Sequence, residues 1–436
     1  MRLGNVITIN PESIRNGYPF DEIEYIDISS VGTGMLQGTQ RLQIDDAPSR
    51  AKRIVRNGDT LLATVRPNLR SFWFARNPKK NTIASTGFAV LRAGKDIDAR
   101  FVYFTVTNQP FTDYLTANAK GAAYPAVDTD TIARAEIYLP PLPTQRKIAA
   151  ILSAYDDLIE NNLRRIKILE EMAQNLYREW FIHFRYPIHF RDPGSEPSTQ
   201  PESHPSPTGR RDRDEGRAKL VDSPLGRISV GWNVVNFGEL YITSSGGTPS
   251  RKVAEYYGGA HPWIKTRELN DGFILETEET ITDLGLIKSS AKLFPENTVI
   301  LAIYGATIGK LGILSMPSAT NQACVAILQK EVGFGRAFAF LFLLENRDKL
   351  IGLGQGAAQQ NISQVVLKNF PAFRPPVSLM QAFSVMVEPL LDNVRNLQHK
   401  NTTLRRTRDL MLPKLISGEV DVSELDIAIP EEDNKV

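Results

Sequence analysis

The chain repeats itself, and a duplicated sequence restricts the fold to two copies of one unit. Asp59-Thr60-Leu61-Leu62-Ala63-Thr64-Val65 corresponds to Asn297-Thr298-Val299-Ile300-Leu301-Ala302-Ile303. Gly121-Ala122-Ala123 corresponds to Gly356-Ala357-Ala358, and Pro140-Pro141 to Pro375-Pro376. The order is kept and each match carries a similar shift, so one ancestral unit occurs twice. In a chain of 436 residues each half is long enough to bury its own core.

Each copy has short apolar runs split by Gly, Asn and Pro: Thr60 to Val65, Ile83 to Leu91, Val299 to Ile303 and Val325 to Leu328. These read as strands of a small α/β or α+β domain. After its Pro-Pro pair each copy enters a heptad pattern. In the first, one seam position holds Ile148, Tyr155, Asn162, Leu169 and Leu176, the other Leu152, Ile159, Ile166, Ala173 and Trp180. In the second the corresponding lines are Phe383, Leu390, Leu397, Leu404 and Met411, then Val387, Val394, Asn401, Arg408 and Leu415. Such spacing predicts a coiled-coil seam. A helix of about 40 residues is about 60 Å long, too long for the inside of one small domain, so it reads as a spacer. Asn162 and Asn401 are either buried devices that fix register or residues at a wet seam edge. Pro389 is expected to kink the second helix or begin it afresh. Lys414 and Gly418 read as its C-terminus.

Between the halves, Arg191 to Lys219 holds five prolines, mixed charge and no large apolar residue, which predicts a disordered linker. Cys324 is the only cysteine, so intramolecular disulfides and cysteine-built zinc sites are excluded. It is read as a small buried hydrophobe. No apolar run approaches the roughly 18 residues needed to span a bilayer, and the expectation is a cytoplasmic protein.

Catalytic motifs fail one by one. The Pro-Pro pairs follow Leu139 and Arg374 rather than the Asn or Asp of amino-methyltransferases. Gly305-Ala306-Thr307-Ile308-Gly309-Lys310 has three residues between its glycines where a P-loop needs four, and reads as a turn between strands. His183, His189, His204, His261 and His399 show no metal-ligand spacing. What remains is binding chemistry. From Arg41 to Lys80 ten basic residues face three acidic ones, with Phe72-Trp73-Phe74 interleaved. That pattern suits phosphates and bases, or else a solvated charged face with a core tryptophan. Gly246-Gly247 before Arg251 and Lys252 offers close backbone approach to a phosphate. Gln355, Gln359, Gln360 and Asn361 offer amides that read adenine. The formal charge of +2 therefore hides a basic strip balanced by an acidic tail from Glu419 to Val436.

Leu139-Pro140-Pro141-Leu142-Pro143-Thr144-Gln145-Arg146-Lys147-Ile148-Ala149, closing with Tyr177-Arg178-Glu179-Trp180-Phe181, resembles the central region of specificity subunits of type I restriction-modification systems. Gly246-Gly247-Thr248-Pro249-Ser250, Trp263-Ile264-Lys265-Thr266, Gln360-Asn361-Ile362-Ser363 and Leu412-Pro413-Lys414-Leu415-Ile416-Ser417-Gly418 agree with it. The first domain lacks a clear Gly-Gly-Thr-Pro turn. The resemblance implies an α+β chain: two similar α/β target-recognition domains joined by two long antiparallel coiled-coil helices, with an internal pseudo-two-fold. It implies a non-catalytic subunit that binds double-stranded DNA at a bipartite target. It also implies two methyltransferase subunits and restriction/translocase subunits as partners. No cofactor is expected in this chain; S-adenosylmethionine, ATP and Mg belong to the partners.

The expected boundaries are 1–141 and 223–376 for the recognition domains, 142–190 and 377–418 for the helices, 191–222 for the linker and 419–436 for the tail. The expected DNA-binding residues are Arg66, Arg70, Lys79, Lys80, Lys120 and Tyr124, then Lys252, Lys265, Arg267, Lys310, Gln359, Gln360 and Asn361. The rival reading is a coiled-coil interaction scaffold whose domains have lost DNA specificity.

Overall fold

The computed structural model describes residues 1–15, 17–187, 219–354 and 361–429. It divides into two compact units, Met1–Asn161 with Asn401–Val436, and Asn162–Lys400. The first contains β1 (Ile7–Ile9), β2 (Glu22–Ile26), β3 (Gln40–Gln43), β4 (Ala51–Ile54), β5 (Thr60–Ala63), β6 (Phe72–Phe74), β7 (Thr82–Ser85) and β8 (Phe88–Ala93). After these come α1 (Ala99–Thr107), α2 (Gln109–Ala117), α3 (Thr129–Arg134) and the first half of α4 (Leu142–Phe181). The second unit begins with β9 (Leu220–Ser223), β10 (Gly226–Ser229), β11 (Asn233–Asn236) and α5 (Phe237–Leu240). It continues with β12 (Tyr241–Ser245), β13 (Tyr257–Ile264), β14 (Gly272–Ile274), β15 (Thr280–Ile281), α6 (Asp283–Ile287), β16 (Leu293–Phe294), β17 (Val299–Ala302), β18 (Leu311–Leu314), β19 (Ser318–Thr320) and β20 (Cys324–Gln329). Then follow α7 (Arg336–Glu345), α8 (Arg347–Leu353), α9 (Gln364–Lys368), β21 (Pro371–Arg374) and α10 (Val377–Ser417).

The duplication is visible strand by strand. The sheet order β1-β8-β5-β6 recurs as β12-β20-β17-β18, and β3-β2-β7-β4 recurs as β15-β13-β19-β16. Pairing senses recur too: β2 runs parallel to β7 as β13 does to β19, and the neighbouring pairs are antiparallel. The second unit adds β14, parallel to β18. The repeated heptapeptides supply β5 and β17, whose side chains are buried throughout. Ile83 to Leu91, expected as one run, is two strands in different sheets. The chain turns at Thr86-Gly87, where a Cβ on Gly87 would stand 2.1 Å from Ile28 Cδ1.

Gln145 sets the start of α4. Its amide donates to the carbonyls of Asp96 (3.2 Å) and Pro140 (2.8 Å), and its Oε1 accepts from the Asp98 amide (2.9 Å). The helix stops at Phe181 rather than at 190. The chain then folds back so that Phe184 and Tyr186 join the second core, whose aromatic burial outweighs further helix. β9 likewise begins inside the stretch expected as linker, because Leu220–Ser223 closes a hairpin with Gly226–Ser229. Residues 191–218 of the expected linker lie outside the described residues. α10 is continuous through Pro389; Val385, the residue whose helical hydrogen bond Pro389 forfeits, is 76% exposed, so the loss falls on the solvent side of the helix. Gly418, at φ +79°, ends α10 as expected.

Every seam position is buried or half-buried. In the first unit Ile148 and Leu152 share a core with Leu412, Leu415 and Ile416, and Tyr155 lies against Met411 (3.6 Å from Oη to Sδ). Arg408, the charged seam residue, pairs with Asp156. In the second, Ile166, Ala173 and Trp180 share a core with Phe383, Val387, Val394 and Leu397, with Leu169, Leu176 and Leu390 packed against it. The first half of α4 thus meets the last half of α10, and the second half the first, which makes the pair antiparallel. Asn162 and Asn401 are both buried, Ile159 is buried, and Leu404 is half-buried. The buried stripe is wider than a two-position seam, because Tyr177, Phe181, Leu391, Leu412 and Ile416 also turn inward onto the domain cores. Among the described residues no helix is long and apolar enough to cross a membrane.

Candidate nucleic-acid interface

The basic strip does not fold into one basic surface. Arg41 pairs with Glu22, Arg50 with Asp27, Arg56 with Glu12, Arg76 with Asp157 and Lys79 with Glu24. All five carboxylates lie outside the strip in sequence, so local charge counting overstates it. β6 also splits the expected contact residues of the strip. Arg66 and Arg70 precede this strand, whereas Lys79 and Lys80 follow it, at its other end. Phe72 is buried, and Trp73 and Phe74 pack half-buried against two cores, so the aromatic triplet is mainly structural.

At the end of β5, by contrast, four of the expected residues meet. The Arg66 amide donates to the Pro125 carbonyl (2.7 Å) and the Val127 amide to Thr64 (2.9 Å), tying the α2–α3 loop to the β5–β6 loop. Lys120 and Ala126 exchange two backbone hydrogen bonds of 2.9 Å, which closes the first of these into a hairpin. The Arg66 guanidinium lies over the Tyr124 ring, 4.6 Å from its centroid, and Tyr124 is 70% exposed. Among the described residues Arg66, Arg70 and Lys80 form no ion pair, and exposed Lys120 sits 3.7 Å from Asp128. Arg70 turns inward, donating to the Thr107 carbonyl (2.8 Å) and to Gln109.

Arg66 and Arg70 are both left-handed, at φ 50° and 55°, and bracket the turn Pro67–Leu69. Pro67 disfavours the right-handed helical region for the residue before it, and each left-handed side-chain-bearing residue costs about 1–2 kcal/mol. Sequence reading missed this turn. Its only signal was Arg-Pro-Asn-Leu-Arg with an apolar residue at the tip.

The second unit repeats the arrangement. The Ile362 amide donates to Ile303 (2.8 Å), and Tyr304 bridges Asn361. Asn361 is exposed there, while Gln355, Gln359 and Gln360 lie outside the described residues. Gly305–Gly309 is the expected turn between β17 and β18. Three expected cations are held by carboxylates: Lys265 by Glu278 and Glu279, Arg267 by Glu278, and Lys310 by Asp271 (2.7 Å). Hydrogen bonds from Arg251 and Lys265 push the Glu279 carboxyl down to about 2. Burial presses Asp271 upward, but Lys310, the Leu311 amide and Arg347 hold it below the usual range. Lys252 is exposed and in no ion pair among the described residues. The Gly246-Gly247 turn is buried against its own protein rather than open to a phosphate. A Cβ on Gly246 would lie 2.1 Å from the Thr320 carbonyl oxygen, and one on Gly247 2.3 Å from the Ser290 carbonyl carbon.

Among the described residues no group of three or more His, Cys, Asp or Glu is placed to hold a metal ion. Burial raises the Cys324 thiol to about 12, which fits its packing as a core residue.

Residues 1–171 and 229–381 match the family model described as the type I restriction modification DNA specificity domain. The chain is 24% identical to the HindI specificity subunit of Haemophilus influenzae, over 93% of this chain and 95% of that one. It is 25% identical to the MjaIX specificity subunit of Methanocaldococcus jannaschii, over 97% and 88%. The solved S subunit of a type I restriction-modification system from M. genitalium shares the fold, with a TM-score of 0.58, 13% identity and 95% of each chain covered. The duplicated domains, the paired long helices and the twofold match to one family model agree, and the chain belongs to the type I restriction-modification DNA specificity family.

Proposed function

We propose that this non-catalytic specificity subunit reads a bipartite duplex target, one half-site per unit, and carries the partner enzymes on α4 and α10. The carrying observation is the repeated pairing: the β5–β6 and α2–α3 loops in one unit, and the β17–β18 loop and the Asn361-Ile362 segment before α9 in the other, are clamped at corresponding ends of corresponding sheets. Two equivalent loop rims suit two half-sites, and the helices set the unread spacer. In the first unit Arg66, Lys120 and Tyr124 contact DNA, and Lys79 and Lys80 meet backbone phosphates beyond the other end of β6. In the second, Lys252, Gln359, Gln360 and Asn361 contact DNA. Arg70 and Lys310 act by holding these loops, and Lys265 and Arg267 by holding the segment between β14 and β15 through Glu278 and Glu279. Two methyltransferase subunits supply S-adenosylmethionine chemistry and the restriction subunits ATP- and Mg-dependent steps, in the cytoplasm.

The test is a map of modified bases in cells carrying the chain and its partners. Two short clusters at fixed separation are expected, and Arg66→Ala with Tyr124→Ala should blur one cluster only. A single uninterrupted cluster, or loss of both together, contradicts one half-site per unit. Modification without any sequence preference would instead favour the scaffold reading, which the internal ion pairing of the basic strip makes worth testing.

A further inference from the structure

Three exposed apolar side chains of the first unit lie on loops tied to one end of its central sheet. Leu69 is 60% exposed, Tyr124 70% and Met35 44%. The Met35 loop is joined to the start of β6 by the Gly34 amide on Phe72 (3.0 Å), the Phe72 amide on Gly32 (3.1 Å) and Thr33 Oγ1 on the Arg70 carbonyl (3.2 Å). Leu69 is the most rigidly presented of the three. Its turn is bracketed by two left-handed arginines, anchored by buried Pro67, and fastened by Arg66 to Pro125 and by Arg70 to Thr107. Such strained, over-fastened turns cluster where a side chain must be presented in one direction. Exposed Asn68 precedes Leu69, and the flanking cations Arg66 and Lys120 favour a polyanion over an uncharged protein surface.

We infer that the Asn68-Leu69 turn reads one A·T pair of the first half-site in the major groove, with the Asn68 amide on adenine N6 and N7 and Leu69 against the thymine 5-methyl group. The side-chain types match: asparagine is the bidentate partner of adenine, and an apolar tip is what a thymine methyl rewards. Leu69 is then a specificity-determining residue, and its exposure is explained by a ligand rather than by folding. This rests on the bipartite reading above.

The experiment uses the complete complex and a duplex carrying its mapped target, with each thymine of the first half-site replaced in turn by uracil. The wild-type complex should bind about fourfold more weakly at one position, the worth of one buried methyl group. The Leu69→Ala complex should bind thymine and uracil alike there, with Leu69→Met partly restoring the difference. Asn68→Ala should lose its preference for adenine over 7-deazaadenine in the same pair. Uniform tolerance of uracil by the wild type, a uracil penalty that survives in Leu69→Ala, or a first half-site without an A·T pair overturns the inference. So does loss of partner subunits from Leu69→Ala with unchanged half-site discrimination, which would make the patch a protein-docking surface. Failure of the wild-type complex to prefer its mapped target over a scrambled duplex would instead sink the bipartite reading itself.

Discussion

Removing Asp156 should unsettle the first unit more than removing its partner, and removing both should nearly restore it. Asp156 and Arg408 pair between the two helices, with side chains 21% and 20% exposed. Arg405 is nearby; burial first, and then the Arg408 charge, lowers its pKa. Asp156→Ala leaves the half-buried Arg408 guanidinium with only the more exposed carboxylate of its neighbour Asp409 (2.8 Å), and takes the nearest compensating charge from Arg405. Breaking a fully buried pair costs about 3–5 kcal/mol, and the one-fifth exposure here lowers that to about 2–3 kcal/mol. For a unit of about 200 residues this is roughly 4–12 °C in Tm. Arg408→Leu should cost less, because burial already pushes Asp156 upward, so without its partner the carboxyl takes up a proton more readily than an exposed aspartate does. Its penalty should therefore shrink as pH falls. The double variant Asp156→Leu/Arg408→Leu replaces the pair by apolar groups and should lie within about 1 kcal/mol of wild type. Calorimetry of the full chain, following the transition of the first unit, gives the coupling between the two positions. Additive losses, with coupling below about 0.5 kcal/mol, would refute the claim that the pair acts as one buried device.

Ile159→Asn with Ile166→Asn places two polar groups on the buried helix stripe and should release the methyltransferase partners or change the spacer between modified clusters, read by co-purification and by the modification map. Glu279, held near 2 by Arg251 and Lys265, stabilises the folded state above the ordinary value of 4.5, and this contribution is lost as pH falls towards 2. Glu279→Gln should flatten the stability–pH curve between those values, and an unchanged slope would discount the cluster. Gly246→Ala should destabilise the second unit by about 2 kcal/mol or more, seen as a lower urea midpoint, since its Cβ meets the Thr320 backbone at 2.1 Å.

The repeat and the heptads made the architecture legible, because strand cores and helix stripes are written in local periodicity. Thr60 to Val65 and Val299 to Ile303 land on corresponding central strands, and even the polar seam residues find burial or a partner. The recognition surface was legible only in part. Charge in a sequence window says nothing of the partners that Glu12, Glu24 and Asp157 become once the chain folds. Lys265, Arg267 and Lys310 were singled out as cations when their carboxylates were near in space but not in pattern. Leu69 was passed over because an apolar residue in a turn carries no periodic signal, and the left-handed backbone that presents it is a product of Pro67 and tertiary hydrogen bonds.

The first unit is built from both ends of the chain, Met1–Asn161 and Asn401–Val436, with the second unit inserted between them. On the ribosome this imposes an order of assembly. Ile148 and Leu152 need Leu412, Leu415 and Ile416 to close their core, and about 250 residues must be made before those arrive. At 5–20 residues per second the wait is roughly 10–50 s. The second unit is complete at Lys400, ahead of Leu412, so its core can close before that of the first. Its nascent neighbour meanwhile keeps an apolar helix face uncovered, and that face is where a chaperone would engage the growing chain.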